Sequence, residues 1–179
     1  MTLVEPELAQ AVLARALARG GDMAELYAEG RRGFAISLDD RRVERPQGGR
    51  ERGACVRVVQ GDSTFYGHVD GLAEQDLLRV AASVSEAVRG DAREPAALRA
   101  VVTGARHEIA IPPEEVEAAR KADLLRACDE RARAAGAEVA QVRIGYVETH
   151  RQIEVFGSDG RAAFSATSSG FRSSSSQPA

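Results

Sequence analysis

Tryptophan is absent from this 179-residue sequence, and aromatic residues make up only 4% of it. A core cannot then be built around large rings and has to come from alanine, valine and leucine. Lysine is nearly absent too: Lys121 is the sole lysine, and the rest of the lysine-plus-arginine total is arginine. With abundant alanine and glycine, this looks like the habit of a GC-rich genome and carries little functional information. The two cysteines, Cys55 and Cys128, have neither metal-ligand nor redox spacing and read as reduced, small core residues. No hydrophobic run approaches the ~20 residues of a membrane span. The N-terminus carries Glu5 and Glu7 and lacks a basic stretch followed by an apolar one, so it does not read as a signal peptide, and the cytoplasm is the expected location. The net charge of -3 is small and the arginines are dispersed, which argues against a nucleic-acid footprint.

What remains is ordinary for a globular protein. The sequence is 44% hydrophobic and 28% charged, and its length fits one domain, or one domain and a tail. Pro6 suits a first helical turn, and Leu8, Val12, Leu13, Ala16 and Leu17 form an apolar face that Gly20 and Gly21 end. Alternation predicts strands over 24–30 and 33–38, a turn at Asp39-Asp40, and a hairpin extended by Arg41 to Arg45. Pro46 to Gly49 reads as a loop. The best-patterned block follows: a strand at Gly53 to Val59, a turn at Gly61-Asp62, and a returning strand from Ser63 to Val69. A helix then opens at Leu72, with Leu77, Ala81, Val84 and Val88 inward and Gly90 as its stop.

Residues 91–113 are less regular, with a short strand expected at His107 to Ile111. Pro113 opens a third helix with Leu124, Leu125, Cys128 and Ala132 inward. A hairpin follows, Val142 to Tyr146 and Ile153 to Val155, turning near Thr149-His150. From Ser165 the composition is that of a disordered tail. The expected architecture is α+β, about three helices packed on mainly antiparallel strands. A duplicated helix–hairpin unit is suggested by Ala14 to Gly20 and Arg131 to Gly136, each preceding a strand pair.

Residues that could carry chemistry are few. His68, His107 and His150 show no i, i+4 pairing for zinc. His68, Asp70 and Glu74 cluster at a strand-to-helix junction, where helix capping and dipole complementation explain the carboxylates more simply than a metal site does. There is no phosphate-binding glycine loop, no Gly-x-Ser-x-Gly, and no serine of the tail is paired by sequence with a histidine. Arg52 and Arg57 are the candidate interface residues. Arg57 alternates out of phase with Val56 and Val58, so on a covered sheet face it would need a carboxylate or carbonyl partner. No catalytic or metal-ligating residue is assigned.

Several pieces, in order, resemble one family. They are Gly21 to Tyr27, Leu38-Asp39-Asp40 with Val43-Glu44, Gly53 to Gly61, Thr64 to Asp70 with Leu72 opening the helix, and the turn at Val155 to Gly160, where Gly157 replaces the usual asparagine. Over about 22–160 the chain resembles the N-terminal domain of the TldD/PmbA family, once labelled modulators of DNA gyrase and now regarded as metalloproteases. Ala24-Glu25-Leu26-Tyr27 and the Gly-x-x-Val-Arg-Val strand are closer to the TldD branch than to PmbA (TldE).

The resemblance implies a longer protein whose zinc is held by a His-Glu-x-x-x-His helix and a downstream cysteine in a C-terminal domain. That motif is absent here: His107-Glu108 is followed by Ile109, Ala110, Ile111 and Pro112. The expected organisation is therefore a TldD/PmbA-like domain at 1–160, a disordered or frameshifted Ser-rich tail at 161–179, and no C-terminal metalloprotease domain. The implied role is non-catalytic, serving chamber wall and subunit contacts in a protease that degrades unfolded peptides. No cofactor is expected in this chain, and the expected partner is a PmbA/TldE-like subunit or a homo-oligomer. Two alternatives stand beside it. One is a stand-alone binding module using exposed strand edges around 54–60 or 151–156. The other is a truncated, non-functional remnant.

Overall fold

A computed structural model describes residues 2–101 and 110–178. The elements are α1 (Pro6–Ala16), β1 (Met23–Asp39), β2 (Arg42–Val43), β3 (Gln47–Gln60), β4 (Ser63–Asp70), α2 (Glu74–Glu86), β5 (Arg99–Val101), a 3-10 turn (Pro113–Glu115), α3 (Ala118–Arg133), β6 (Val139–Gly157) and β7 (Arg161–Pro178). The strands hydrogen-bond in the order β4-β3-β1-β6-β7-β5, with β2 paired to β1. The β3–β4 and β1–β2 ladders are antiparallel, and β5–β7 is parallel. This is the α+β class that the patterning predicts, with three helices. The chain divides into two compact units, one of residues 2–31, 51–101 and 151–166, the other of 32–50, 110–150 and 167–178.

In the first unit the period-2 alternation sends Ala24, Leu26 and Ala28 of β1 and Ala54, Val56 and Val58 of β3 to one face, where all are buried. Helix α1 covers them with Ala9, Val12, Leu13 and Ala16, and α2 with Leu77, Ala81 and Val84. Small residues permit this close packing. A Cβ placed on Gly67 of β4 would lie 2.7 Å from Val80 Cγ2 of α2. Gly21, at φ +109, would put one 2.6 Å from Val58 Cγ1. Phe156 is the largest fully buried side chain among the described residues and packs edge-to-face on Phe164 at 5.8 Å. Glu154 is 1% exposed and accepts from the backbone N–H of Leu3 at 2.8 Å and of Val4 at 3.0 Å, which fixes the segment leading into α1.

The second unit has its own core of Ile36, Leu38, Ala122, Leu125, Val142 and Ile144, flanked by Phe34, Cys128, Ala132 and Tyr146. Leu124, expected inward, is 44% exposed, because one position along the helix is a rotation of about 100°. Helix α3 begins at Ala118 instead of Pro113, since Val116 is extended at φ -82, ψ 125 and separates it from the 3-10 turn.

The structure corrects the reading of the strands. The predicted break at 30–33 does not exist: neither Gly30 nor Gly33 has positive φ, and β1 runs unbroken through them. Gln47 to Gly49 is strand, not loop. The hairpin turn predicted near Thr149-His150 is also absent. That dipeptide has no glycine, proline or asparagine to reverse the chain, and β6 continues through it. Residues 161–178, expected to be a disordered tail, form β7. Ala162 is 4% exposed, Arg161, Ala162 and Ala163 pair with Arg99, Ala100 and Val101, and the backbone ladder does not depend on side-chain size. The strands at 54–60 and 151–156, expected to offer free edges, lie inside the sheet order between neighbours on both sides. The terminal strands in that order are β4 and β5. The short strand expected at His107 to Ile111 falls largely outside the described residues.

Candidate functional site

Both candidate interface residues lie in the first unit, and Arg57 is on the sheet face that α1 and α2 leave uncovered. Alternation brings Glu25, Tyr27 and Glu29 of β1 there, beside Cys55 and Arg57 of β3. Across the β3–β4 ladder Arg57 pairs with Tyr66 and Cys55 with His68. The partner that Arg57 requires is Glu25 on the adjacent strand, its Oε2 accepting from Nη2 at 3.2 Å. The Arg57 Nε is buried with no hydrogen-bond partner among the described residues. Tyr66, opposite it, is 73% exposed.

Arg52, five residues before Arg57 on β3, lines an open groove of about 340 Å³ together with Tyr27, Glu29, Cys55, His68 and Asp70. Arg151 of β6 donates through Nε and Nη2 to the two oxygens of Glu29, each at 2.8 Å, and Tyr27 donates to the same carboxylate. The Arg151 hydrogen bonds hold the Glu29 carboxyl below its ordinary range, and burial raises the Tyr27 phenol. Burial also pushes the Cys55 thiol up, which keeps it protonated and a poor nucleophile.

The second unit holds a cluster that the sequence reading did not find. Lys121 Nζ lies 2.8 Å from Glu148 Oε1, with both residues buried, and 4.6 Å from the centre of the Phe34 ring. The Tyr146 hydroxyl donates to the other Glu148 oxygen at 2.7 Å. Burial first, and the Glu148 bond second, push its phenol up to about 12. Two residues further along β6, His150 Nδ1 meets Ser168 Oγ of β7 at 2.8 Å and Glu114 Oε1 of the 3-10 turn at 3.0 Å. Ser168 Oγ is 3.2 Å from Glu114 Oε2.

Serine, histidine and glutamate together suggest a hydrolytic triad, but the geometry is wrong for one. A triad histidine uses opposite ring nitrogens for its hydroxyl and its carboxylate. Here both contact Nδ1, and the hydroxyl sits on the carboxylate itself. The three residues tie β6, β7 and the 3-10 turn together. The signal for this row was the i, i+2 series Tyr146, Glu148, His150, which places all three on one strand face once 149–150 is read as strand.

The zinc implied by the family resemblance does not fit the described residues. No group of three or more His, Cys, Asp or Glu side chains among them could hold a metal ion. Cys55 and His68 face each other without completing such a group. His68 and Asp70 lie on β4 and Glu74 opens α2. His107 lies outside the described residues. Also among the described residues, no helix is long and apolar enough to cross a membrane.

Residues 24–90 match PmbA/TldA metallopeptidase domain 1, and residues 111–176 match the PmbA/TldA metallopeptidase central domain. The second match takes in the Ser-rich stretch of β7. No curated protein matches the sequence. Among solved structures, a putative modulator of DNA gyrase from Bacteroides thetaiotaomicron superimposes with a TM-score of 0.68 at 17% identity, over 96% of this chain and 40% of that one. A putative modulator of a DNA gyrase from Thermotoga maritima gives 0.64 at 14% identity, over 84% and 34%. TldE from Thermococcus kodakarensis gives 0.55 at 17% identity, over 85% and 35%. At these identities the superpositions establish a shared fold, and the chain spans well under half the length of each of these proteins. With two successive family domains laid along it, this chain belongs to the PmbA/TldD metallopeptidase family.

Proposed function

We propose that this chain is a non-catalytic N-terminal portion of a TldD-like zinc metallopeptidase that degrades unfolded peptides, and that it supplies chamber wall and subunit contacts. One observation carries the reading: domain 1 and the central domain of the family occupy 24–90 and 111–176, while no group of described residues could hold a metal. The partner is a PmbA/TldE-like subunit or a second copy of the chain. Arg57 and Arg52 are the contact residues we assign to that interface. In support, the face around Arg57 carries a strongly exposed tyrosine, Tyr66, beside a guanidinium already oriented by Glu25. We place the protein in the cytoplasm, in keeping with Cys55 and Cys128, neither of which forms a disulfide.

The test is to purify the chain and measure zinc content, peptide hydrolysis, and assembly with a PmbA/TldE-type subunit by light scattering. The reading expects far less than one zinc per chain, no hydrolysis by the chain alone, and a complex weakened by Arg57→Ala. Stoichiometric zinc or hydrolysis by the isolated chain refutes it.

A further inference from the structure

The second unit contains a cleft of about 420 Å³, within the range of pockets that hold small ligands. Its charges do not cancel evenly. Lys121 and Glu148 neutralise each other in their buried pair, and Glu114 is engaged by His150 and Ser168. Arg32 of β1 and Arg50 of β3 also line the cleft, are exposed, and have no hydrogen-bond or ion-pair partner among the described residues. Two arginines therefore line one cavity with side chains that no described residue engages. Between them the wall is backbone: Gly48 and Gly49 carry no side chain, and a Cβ on Gly49 would meet nothing within 4 Å. An extended chain can approach such a wall closely. The start of α3 reaches the rim at Ala118, and its first turn carries no acidic residue.

We propose that this cleft binds a peptide carboxylate, with Arg32 and Arg50 donating to its oxygens. The inference rests on the peptide-handling role above and adds a ligand chemistry to it. A guanidinium fork matches a planar carboxylate with two parallel N–H···O bonds. The Glu114 and Glu148 carboxylates border the same cleft, so a singly charged anion is favoured over a doubly charged phosphate. Phe34, whose ring is held beneath Lys121, offers an apolar surface for the residue that carries the carboxylate. The carboxylate comes from a chain terminus or from an acidic side chain, and the experiment separates the two.

Fluorescence anisotropy of dye-labelled ten-residue unstructured peptides against the intact chain is the test. Three peptides are used: one without Asp or Glu and with a free C-terminus, the same peptide amidated, and the amidated peptide with one internal Glu. The free-acid peptide should bind about 10-fold or more tightly than the amide, the scale of a charged hydrogen bond. Arg32→Gln and Arg50→Gln should each remove most of that preference and the double variant all of it, while Arg15→Gln on α1 leaves it intact. Recovery of affinity by the internal Glu assigns the site to acidic side chains, and no recovery assigns it to the chain terminus. Equal binding of acid and amide overturns the proposal, as does a preference that survives the double variant, or no binding by any peptide. Zinc content and subunit assembly do not involve these peptides, so the functional reading and this inference can fail separately.

Discussion

Replacing Lys121 with methionine removes one half of a buried ion pair and keeps the length and apolar stem of the side chain. Lys121 is 5% exposed and Glu148 7%, and their charged atoms are 2.8 Å apart. Without the ammonium, Glu148 retains, among the described residues, only the Tyr146 hydroxyl as a side-chain donor, and it has little access to water. Stranding a buried charge in this way typically destabilises by about 3–5 kcal/mol, to which loss of the cation–π contact with Phe34 adds about 0.5–2 kcal/mol. A domain stable by about 5–15 kcal/mol would lose about a quarter or more of its stability. The double variant Lys121→Met/Glu148→Leu replaces the pair with apolar groups of similar volume, and most of the loss should return. Urea unfolding followed by far-ultraviolet circular dichroism measures both. A loss below about 1 kcal/mol for Lys121→Met, the range of exposed pairs, would refute the reasoning by showing Glu148 to be solvated. A double variant no more stable than the single one would refute it as well.

Other expectations follow from the same geometry. Tyr146 should titrate near 12 and not at the ordinary 10.0 of a tyrosine, so absorbance at 295 nm should show a late phenol that Tyr146→Phe removes. Because the folded state holds that proton more tightly than the unfolded chain, its contribution to stability is complete below about pH 10. It is lost as the pH rises toward 12, and the variant should flatten that part of the pH profile. Glu154→Ala leaves the Leu3 and Val4 amides without their acceptor and should cost about 1–3 kcal/mol, read as a lower melting temperature with early exchange of the first residues. Gly67→Ala drives a methyl into Val80 and should destabilise by about 1–3 kcal/mol, whereas Gly49→Ala, with open space around it, should be neutral within about 0.5 kcal/mol.

Local patterns identified the first unit well and the second poorly, for physical reasons. Leu77, Ala81 and Val84 at helical spacing, and Val56 and Val58 at strand spacing, each see a single apolar neighbour layer, so periodicity reads true. The long strands fail that logic. At Gly30 to Gly33 and at Thr149-His150 the exposure changes along one continuous strand as the chain passes from one unit to the other, and a change in burial imitates a turn. The Ser-rich β7 is invisible to hydrophobic patterning because its pairing is backbone-borne, with Ala162 and Phe164 as apolar anchors among its described side chains. The Glu25 partner of Arg57 was deducible in kind, since a guanidinium on a sheet face seeks a carboxylate, but strand order alone decides which one. The Lys121–Glu148 pair needs two elements 27 residues apart and could not be read locally. The clue, a sole lysine in a chain of arginines, is in the sequence but reads there as a habit of composition.

The proposed function holds that this chain supplies family architecture and binds no metal itself. Zinc content of the purified, folded chain by inductively coupled plasma mass spectrometry tests it most directly. The account predicts zinc far below one equivalent, unchanged by added Zn²⁺ after dialysis. One tightly held zinc per chain would contradict it.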